Sequence, residues 1–193
     1  MQSLAIYCGS SPGFNDLYRQ QARLLGQQLA ERGSRVVYGG GKVGLMGAVA
    51  EGALSAGGEV IGVIPDFMIP KEVAHTGLTE LVITDSMQSR KLKMHELSDG
   101  IITLPGGYGT LEELFEMVTW AQLGLHSKPI GILNLNGYYD PLLQMLNKMV
   151  DEGFLRLNNR DAILSALSID ELLSAMDIYD PGFVEKWMGD GQT

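Results

Sequence analysis

The sequence predicts an α/β fold built on a doubly wound, mostly parallel sheet flanked by helices. Three observations lead there. Short apolar runs of strand length alternate with amphipathic stretches of helical period along most of the 193 residues. The runs are apolar at consecutive positions, as strands covered on both faces require. Four of them end in glycine-rich or polar turns, and ligands bind parallel sheets at the carboxyl ends of the strands.

The elements follow in order. Residues 3–8 (SLAIYC) read as a buried strand. Residues 16–32 carry a helical stripe through Leu17, Ala22, Leu25 and Leu29, ended by Gly33. A second strand, 35–41 (RVVYGGG), breaks into glycines before a helix over 45–56. The third strand covers 59–65 (EVIGVIP). After a loop rich in Pro, Lys and His, a fourth covers 80–85. A helix over 87–98 leads to a strand over 100–105 and a helix over 111–124. A sixth strand, 128–134, precedes a helix over 139–153 with Pro141 in its first turn, where its missing N–H costs nothing. Residues 161–177 read as one helical segment, with Ser168 as a candidate cap before IDELLSAM. A single domain is expected over 1–180. The tail, 181–193, offers Phe183, Val184 and Trp187 for docking on the body.

Composition narrows the function. Hydrophobic residues make up 45%, and no apolar run nears the ~20 residues of a membrane span, so no membrane association is expected. The opening MQSLAIYCGSS lacks a secretory pattern and the one cysteine, Cys8, excludes an internal disulfide, so a cytoplasmic setting is expected. Three histidines and that cysteine show no zinc spacing, and no metal or cofactor is expected. A net charge of −9 argues against nucleic-acid binding but leaves room for a small anion in a local cationic pocket.

The four turns, CGSSPG (8–13), YGGGKVG (38–44), PDFMIPKE (65–72) and PGGYGT (105–110), should line one crest. Ser10, Gly40 and Gly41 are candidate phosphate or ribose contacts there, although turn hydrogen bonds explain a serine equally well. Gly39, Gly41 and Gly44 spell G-x-G-x-x-G, with Asp66 about 20 residues on, as a dinucleotide fingerprint does. Two details count against a nicotinamide. The motif follows the second strand, and Pro65 separates the third strand from Asp66. Glycines that let the turn pass close to its neighbours are the plainer account.

PGGYGTLEE poses the sharper question. Glycines at a helix mouth let an anion approach exposed N–H groups, yet Glu112 and Glu113 repel one. With Thr110 as N-cap, the stretch also fits a capping box in which Glu113 reaches back to the cap amide. The segment SMQSRKLKMHE (86–96) favours a site. Met87, Arg90, Met94 and Leu97 share one helix face, so Arg90 interrupts an apolar stripe, while Lys91 lies beside it and Lys93 points elsewhere. Arg90 can neutralise a phosphate or pair with Glu113. Tyr108 stacks on a ligand or packs on its neighbours, and Met46 is core filler or the floor of a base pocket. His95 is assigned to capping or hydrogen bonding within its helix rather than to catalysis.

S-R-K-L-K-M-H-E, P-G-G-Y-G-T-L-E-E and the upstream Y-G-G-G-K-V-G-L-M-G together resemble the signature of the LOG family, the cytokinin riboside 5′-monophosphate phosphoribohydrolases, from about residue 3 to 180. Many members carry the older label "possible lysine decarboxylase", but no lysine here has a recognisable pyridoxal phosphate setting. The resemblance implies a Rossmann-like homodimer that hydrolyses the N-glycosidic bond of a nucleoside 5′-monophosphate. The products are a free base and ribose 5-phosphate, the substrate (N6-prenyl)adenosine monophosphate or AMP. It implies Arg90 and Glu113 as the catalytic pair, and Lys91, which accompanies Arg90, as a substrate-binding residue. Gly106, Gly107, Tyr108, Gly109 and Thr110 would bind the substrate through its phosphate, and Glu72 and Thr119 would line its site. A noncatalytic nucleotide or molybdenum-cofactor carrier is the alternative, but a carrier has no use for the Arg90–Glu113 pair.

Overall fold

The computed structural model of the chain describes residues 1–69 and 74–181. Glu72 and the apolar tail residues Phe183, Val184 and Trp187 lie outside the described residues.

Seven strands form one sheet that is parallel throughout: β1 (Ser3–Tyr7), β2 (Arg35–Tyr38), β3 (Val60–Pro65), β4 (Glu80–Thr84), β5 (Gly100–Thr103), β6 (Ile130–Leu133) and β7 (Ile163–Ala166). Their spatial order is β4-β3-β2-β1-β5-β6-β7. The described helices are α1 (Asp16–Glu31), α2 (Gly44–Ser55), α3 (Met87–Glu96), α4 (Tyr108–Gln122), α5 (Asp140–Asp151), α6 (Leu157–Asp161) and α7 (Ile169–Asp177).

Side chains alternate across each strand, so β1 splits its residues between two cores. Leu4 and Ile6 join α1, α2 and α7 through Ala22, Leu25, Leu29, Val49, Ala53, Leu172 and Met176. Ala5 and Tyr7 face the opposite layer, with Met94 of α3, Leu114 and Met117 of α4, and Leu146 of α5. This double coverage is why β1, β3 and β5 read as continuous apolar runs.

One expectation fails. Residues 161–177 do not make one helical segment: α6 ends at Asp161, ILSA forms the edge strand β7, and α7 begins at Ile169. A four-residue apolar run has no period long enough to distinguish strand from helix. Ser168 does cap α7, accepting from the Glu171 N–H at 3.4 Å.

Candidate active site

The chain winds outward from β1 to β4 on one side, then crosses to β5 and winds out the other way to β7. The carboxyl ends of β1 and β5 therefore border the switch point, where open parallel sheets leave a crevice. Three turns are tied together there. The Gly9 N–H donates to the Pro105 carbonyl at 3.0 Å, and the Leu45 N–H to the Gly9 carbonyl at 3.0 Å. The turn after β2 is held in place by His75, whose N–H donates to the Gly40 carbonyl at 3.1 Å.

Packing accounts for the fingerprint glycines. Gly44 has φ +67°, and a Cβ there would stand 2.3 Å from the Ser10 carbonyl group. A Cβ on Gly39 would fall 2.0 Å from a terminal nitrogen of Arg90. Both glycines are needed for close approach within the protein, which leaves the nicotinamide interpretation without support. Gly40 and Gly41 are buried beneath the surface, whereas Ser10 is exposed on the crest.

The helix mouth differs from the expected capping box. α4 begins at Tyr108, its N-cap is Gly107 in an extended conformation (φ −95°, ψ −152°), and no side chain caps it. Thr110 is the buried third residue of the helix, and Glu113 lies in the second turn, past the reach of a capping interaction. The first N–H groups of α4 thus open at the crest under a cap with no side chain, an arrangement suited to an anion. Tyr108 is 94% exposed, so it does not pack on its neighbours.

Two residues that the sequence reading missed secure this loop. The Tyr138 hydroxyl donates to the Gly106 carbonyl and the buried Tyr139 hydroxyl to the Leu104 carbonyl, both at 2.7 Å. The available signal was topological: YYD follows the sixth strand, and its turn also reaches the crest.

A capping box does exist, but on α3. The Ser86 side chain accepts from the Ser89 N–H at 3.2 Å, and the Ser86 N–H donates back to the Ser89 hydroxyl at 3.1 Å. With its start fixed, the first turn of α3 directs Arg90 into the body, where it is 5% exposed. Its Nε donates to the Val63 carbonyl at 3.1 Å and a terminal nitrogen to the Gly39 carbonyl at 3.0 Å. The other terminal nitrogen lies 3.9 Å from the Met68 sulfur and 3.8 Å from the Met87 sulfur. A buried cation is costly unless hydrogen-bonded, and main-chain oxygens meet that need here.

The two carboxylates of the motif are separated by role. Glu112 accepts from the Lys91 ammonium, as does Glu116 at 3.1 Å. Burial works against that ammonium, but the two carboxylates more than offset it and hold the Lys91 pKa above its ordinary value. Glu113 is half-buried one position on. Burial pushes the Cys8 thiol upward, with the Glu113 charge adding to the effect and Arg90 opposing it. Tyr7 responds alike, to burial first and then to Glu113, Glu116 and Glu112, again opposed by Arg90. The guanidinium on α3 and the carboxylate on α4 thus both bear on the end of β1.

Other expected residues lie elsewhere. Thr119 is exposed, its hydroxyl donating to the Phe115 carbonyl at 2.7 Å. Eleven residues beyond Tyr108, it stands about 16 Å down the helix axis. His95 does not hydrogen-bond within its helix through the ring; it packs 5.5 Å from Trp120 and 4.8 Å from His126, at the far end of α3. Among the described residues no group of three or more His, Cys, Asp or Glu could hold a metal ion, and no helix is long and apolar enough to cross a membrane.

Known proteins resemble this chain in sequence and in fold. The family model described as "Possible lysine decarboxylase" matches residues 46–176. A probable cytokinin riboside 5′-monophosphate phosphoribohydrolase of Oryza sativa subsp. japonica is 47% identical over 91% of this chain and 79% of its own length. A cytokinin riboside 5′-monophosphate phosphoribohydrolase of Arabidopsis thaliana is 42% identical over 98% of this chain and 91% of its own. Among solved structures, the molybdenum cofactor binding protein of Rippkaea orientalis superposes with a TM-score of 0.68 at 21% identity, over 91% of this chain and 95% of that one. The molybdenum cofactor carrier protein of Chlamydomonas reinhardtii does so with a TM-score of 0.67 at 20% identity, over 91% and 96%. At such identity the structural likeness establishes the Rossmann-like fold and no more. The sequence likeness goes further: this chain belongs to the LOG family of cytokinin riboside 5′-monophosphate phosphoribohydrolases.

Proposed function

We propose that this chain hydrolyses the N-glycosidic bond of an adenosine 5′-monophosphate, N6-prenylated or plain, releasing the base and ribose 5-phosphate. What supports this is that Arg90, held by main-chain carbonyls, and Glu113 both act electrostatically on Cys8 at the end of β1, beside a helix mouth capped by glycine. The full-length relatives named above support it.

Each part has a task. The Gly106–Thr110 stretch and the opening turn of α4 bind the phosphate, and Arg90 orients phosphate or ribose. Breaking the bond builds positive charge on the sugar, which a carboxylate beneath the ring stabilises. Glu113 does this and takes the proton of the attacking water. The water oxygen bonds to C1′, and the bonding pair leaves with the base, which gains a proton. Ser10 contacts phosphate or ribose and Tyr108 stacks on the ligand, a reading that the exposure of both at the crest supports. The unit carrying the reaction is residues 1–180, in a cytoplasmic setting with Cys8 reduced. The substrate is a small molecule rather than a nucleic acid. The working form is a homodimer: Thr119 lies too far along α4 to serve its own crest and would line the site of a second copy.

The test is direct. The pure protein is incubated with AMP and with isopentenyladenosine monophosphate, and the released bases are separated by chromatography. Free base from either supports hydrolysis, and the ratio sets the preference. Intact nucleotide in both reactions, with folded protein present, overturns it. Sedimentation of the same sample checks the dimer.

A further inference from the structure

Lys91 directly follows Arg90 on α3, and Glu112 directly precedes Glu113 on α4. One ion-pair cluster therefore connects the immediate neighbours of both catalytic candidates. The Lys91 side chain is only 8% exposed, and its ammonium is engaged by Glu112 and Glu116, the latter at 3.1 Å. Those carboxylates stand four residues apart, so they occupy successive turns of one helix face. An ammonium seated between them links α3 to two successive turns of α4, so sliding one helix along the other lengthens one contact as it shortens the other. The apolar contacts of this layer, through Met94, Leu114 and Met117, resist separation of the helices but do not define that register.

Glu116 adds a second observation. Its Oε2 is buried with no hydrogen-bond partner among the described residues. A carboxylate kept in so costly a setting has Lys91 as its compensation. Neighbouring hydroxyls on the same side of the sheet, Tyr7 and Thr103, register partners on β1 and β5, are also buried without a partner. Among the described residues, the cation paired with Glu112 and Glu116 of α4 is Lys91, and it comes from α3.

We propose that Lys91 is a positioning residue, with Glu112 and Glu116 as its partners: a strut that sets Arg90 in register with Glu113 rather than a ligand of the substrate phosphate. This rests on the hydrolytic function proposed above. Lys91 acts through the relative placement of two helices, and its removal misaligns the reacting groups without removing a substrate contact.

Steady-state kinetics on AMP, or on the prenylated nucleotide if that is preferred, separate the two roles. Lys91→Met should lower kcat on the order of 10- to 10²-fold, the scale of a misplacement near 1 Å, while KM stays within about threefold. Glu112→Gln/Glu116→Gln, which leaves the lysine in place, should give the same kcat-selective loss. Combining all three changes should cost little more than either set alone, as for members of one unit. Lys91→Arg should recover most of the turnover. If the Met variant does not fold, the glutamine pair and the Arg variant carry the test. A phosphate-binding lysine would instead raise KM in Lys91→Met and leave the glutamine pair near wild-type turnover, and that outcome overturns the strut. A wild-type protein that releases no base from either nucleotide overturns the hydrolytic function itself, a separate result.

Discussion

The two edges of the sheet handle charge in opposite ways. At the crest, Arg90 is 5% exposed yet anchored by two carbonyls, and Lys91 is held above its ordinary pKa by two carboxylates once burial is offset. At the opposite edge, burial pushes His95 down to about 4, helped by Lys128 and His126, and burial likewise lowers His126 and Lys128. At that lower edge lies a cavity of about 540 Å³ bordered by Val118, His126, Phe154, Arg156 and Tyr179. The crest gathers charge and presents exposed backbone amides, whereas at the lower edge burial disfavours the charged forms of His95, His126 and Lys128. Hydrolysis of a phosphorylated nucleoside needs the first environment. The size of a hollow is a poorer guide to chemistry than the electrostatics around it.

Substitutions at each edge test that contrast. The largest effect is expected at Glu113. Glu113→Gln should reduce turnover by about 10²-fold or more while leaving Tm and AMP binding largely intact. Unchanged activity would return that carboxylate to a structural role. Arg90→Ala should follow, lowering kcat/KM by about 10²-fold. It should also destabilise the fold by about 1–3 kcal/mol, because the Gly39 and Val63 carbonyls lose a buried donor. A drop in Tm without a kinetic effect would make the arginine an ordinary core cation.

Smaller effects sharpen the boundary between the edges. Tyr138→Phe deletes a single hydrogen bond to the Gly106 carbonyl and should raise KM by about two- to tenfold, with kcat little changed. His95→Phe should leave both kinetic constants alone and act only on stability against pH. The folded-state pKa of His95 is about 4 and its ordinary value 6.5, so between these the unfolded chain takes a proton that the folded one refuses. Wild-type Tm should therefore decline as pH falls from about 6.5 towards 4, and the variant should show a flatter decline in thermal scans. Loss of turnover in His95→Phe would mean the lower edge takes part in the chemistry after all.

Much of this organisation was legible in the sequence. Continuous apolar strands and glycine turns gave the parallel sheet and its crest, and the break in the α3 stripe at Arg90 pointed to a buried cation. What escaped was decided by tertiary contacts. ILSA becomes β7 only because β6 offers it an edge to pair with. The loop supports Tyr138 and Tyr139 act on carbonyls more than thirty residues away. Thr110 looked like a cap because threonine caps helices well, yet the helix starts earlier and buries it.

The Arg90 anchors lie in the main chain. A carbonyl is indifferent to the side chain that shares its residue, so isoleucine or leucine at position 63 could serve as well as valine. Position 39 has no such latitude, since any methyl group there collides with the guanidinium. Drift in the surrounding walls can thus remodel which base is accepted while the aim of the arginine stays constant, making substrate preference the more freely evolving property.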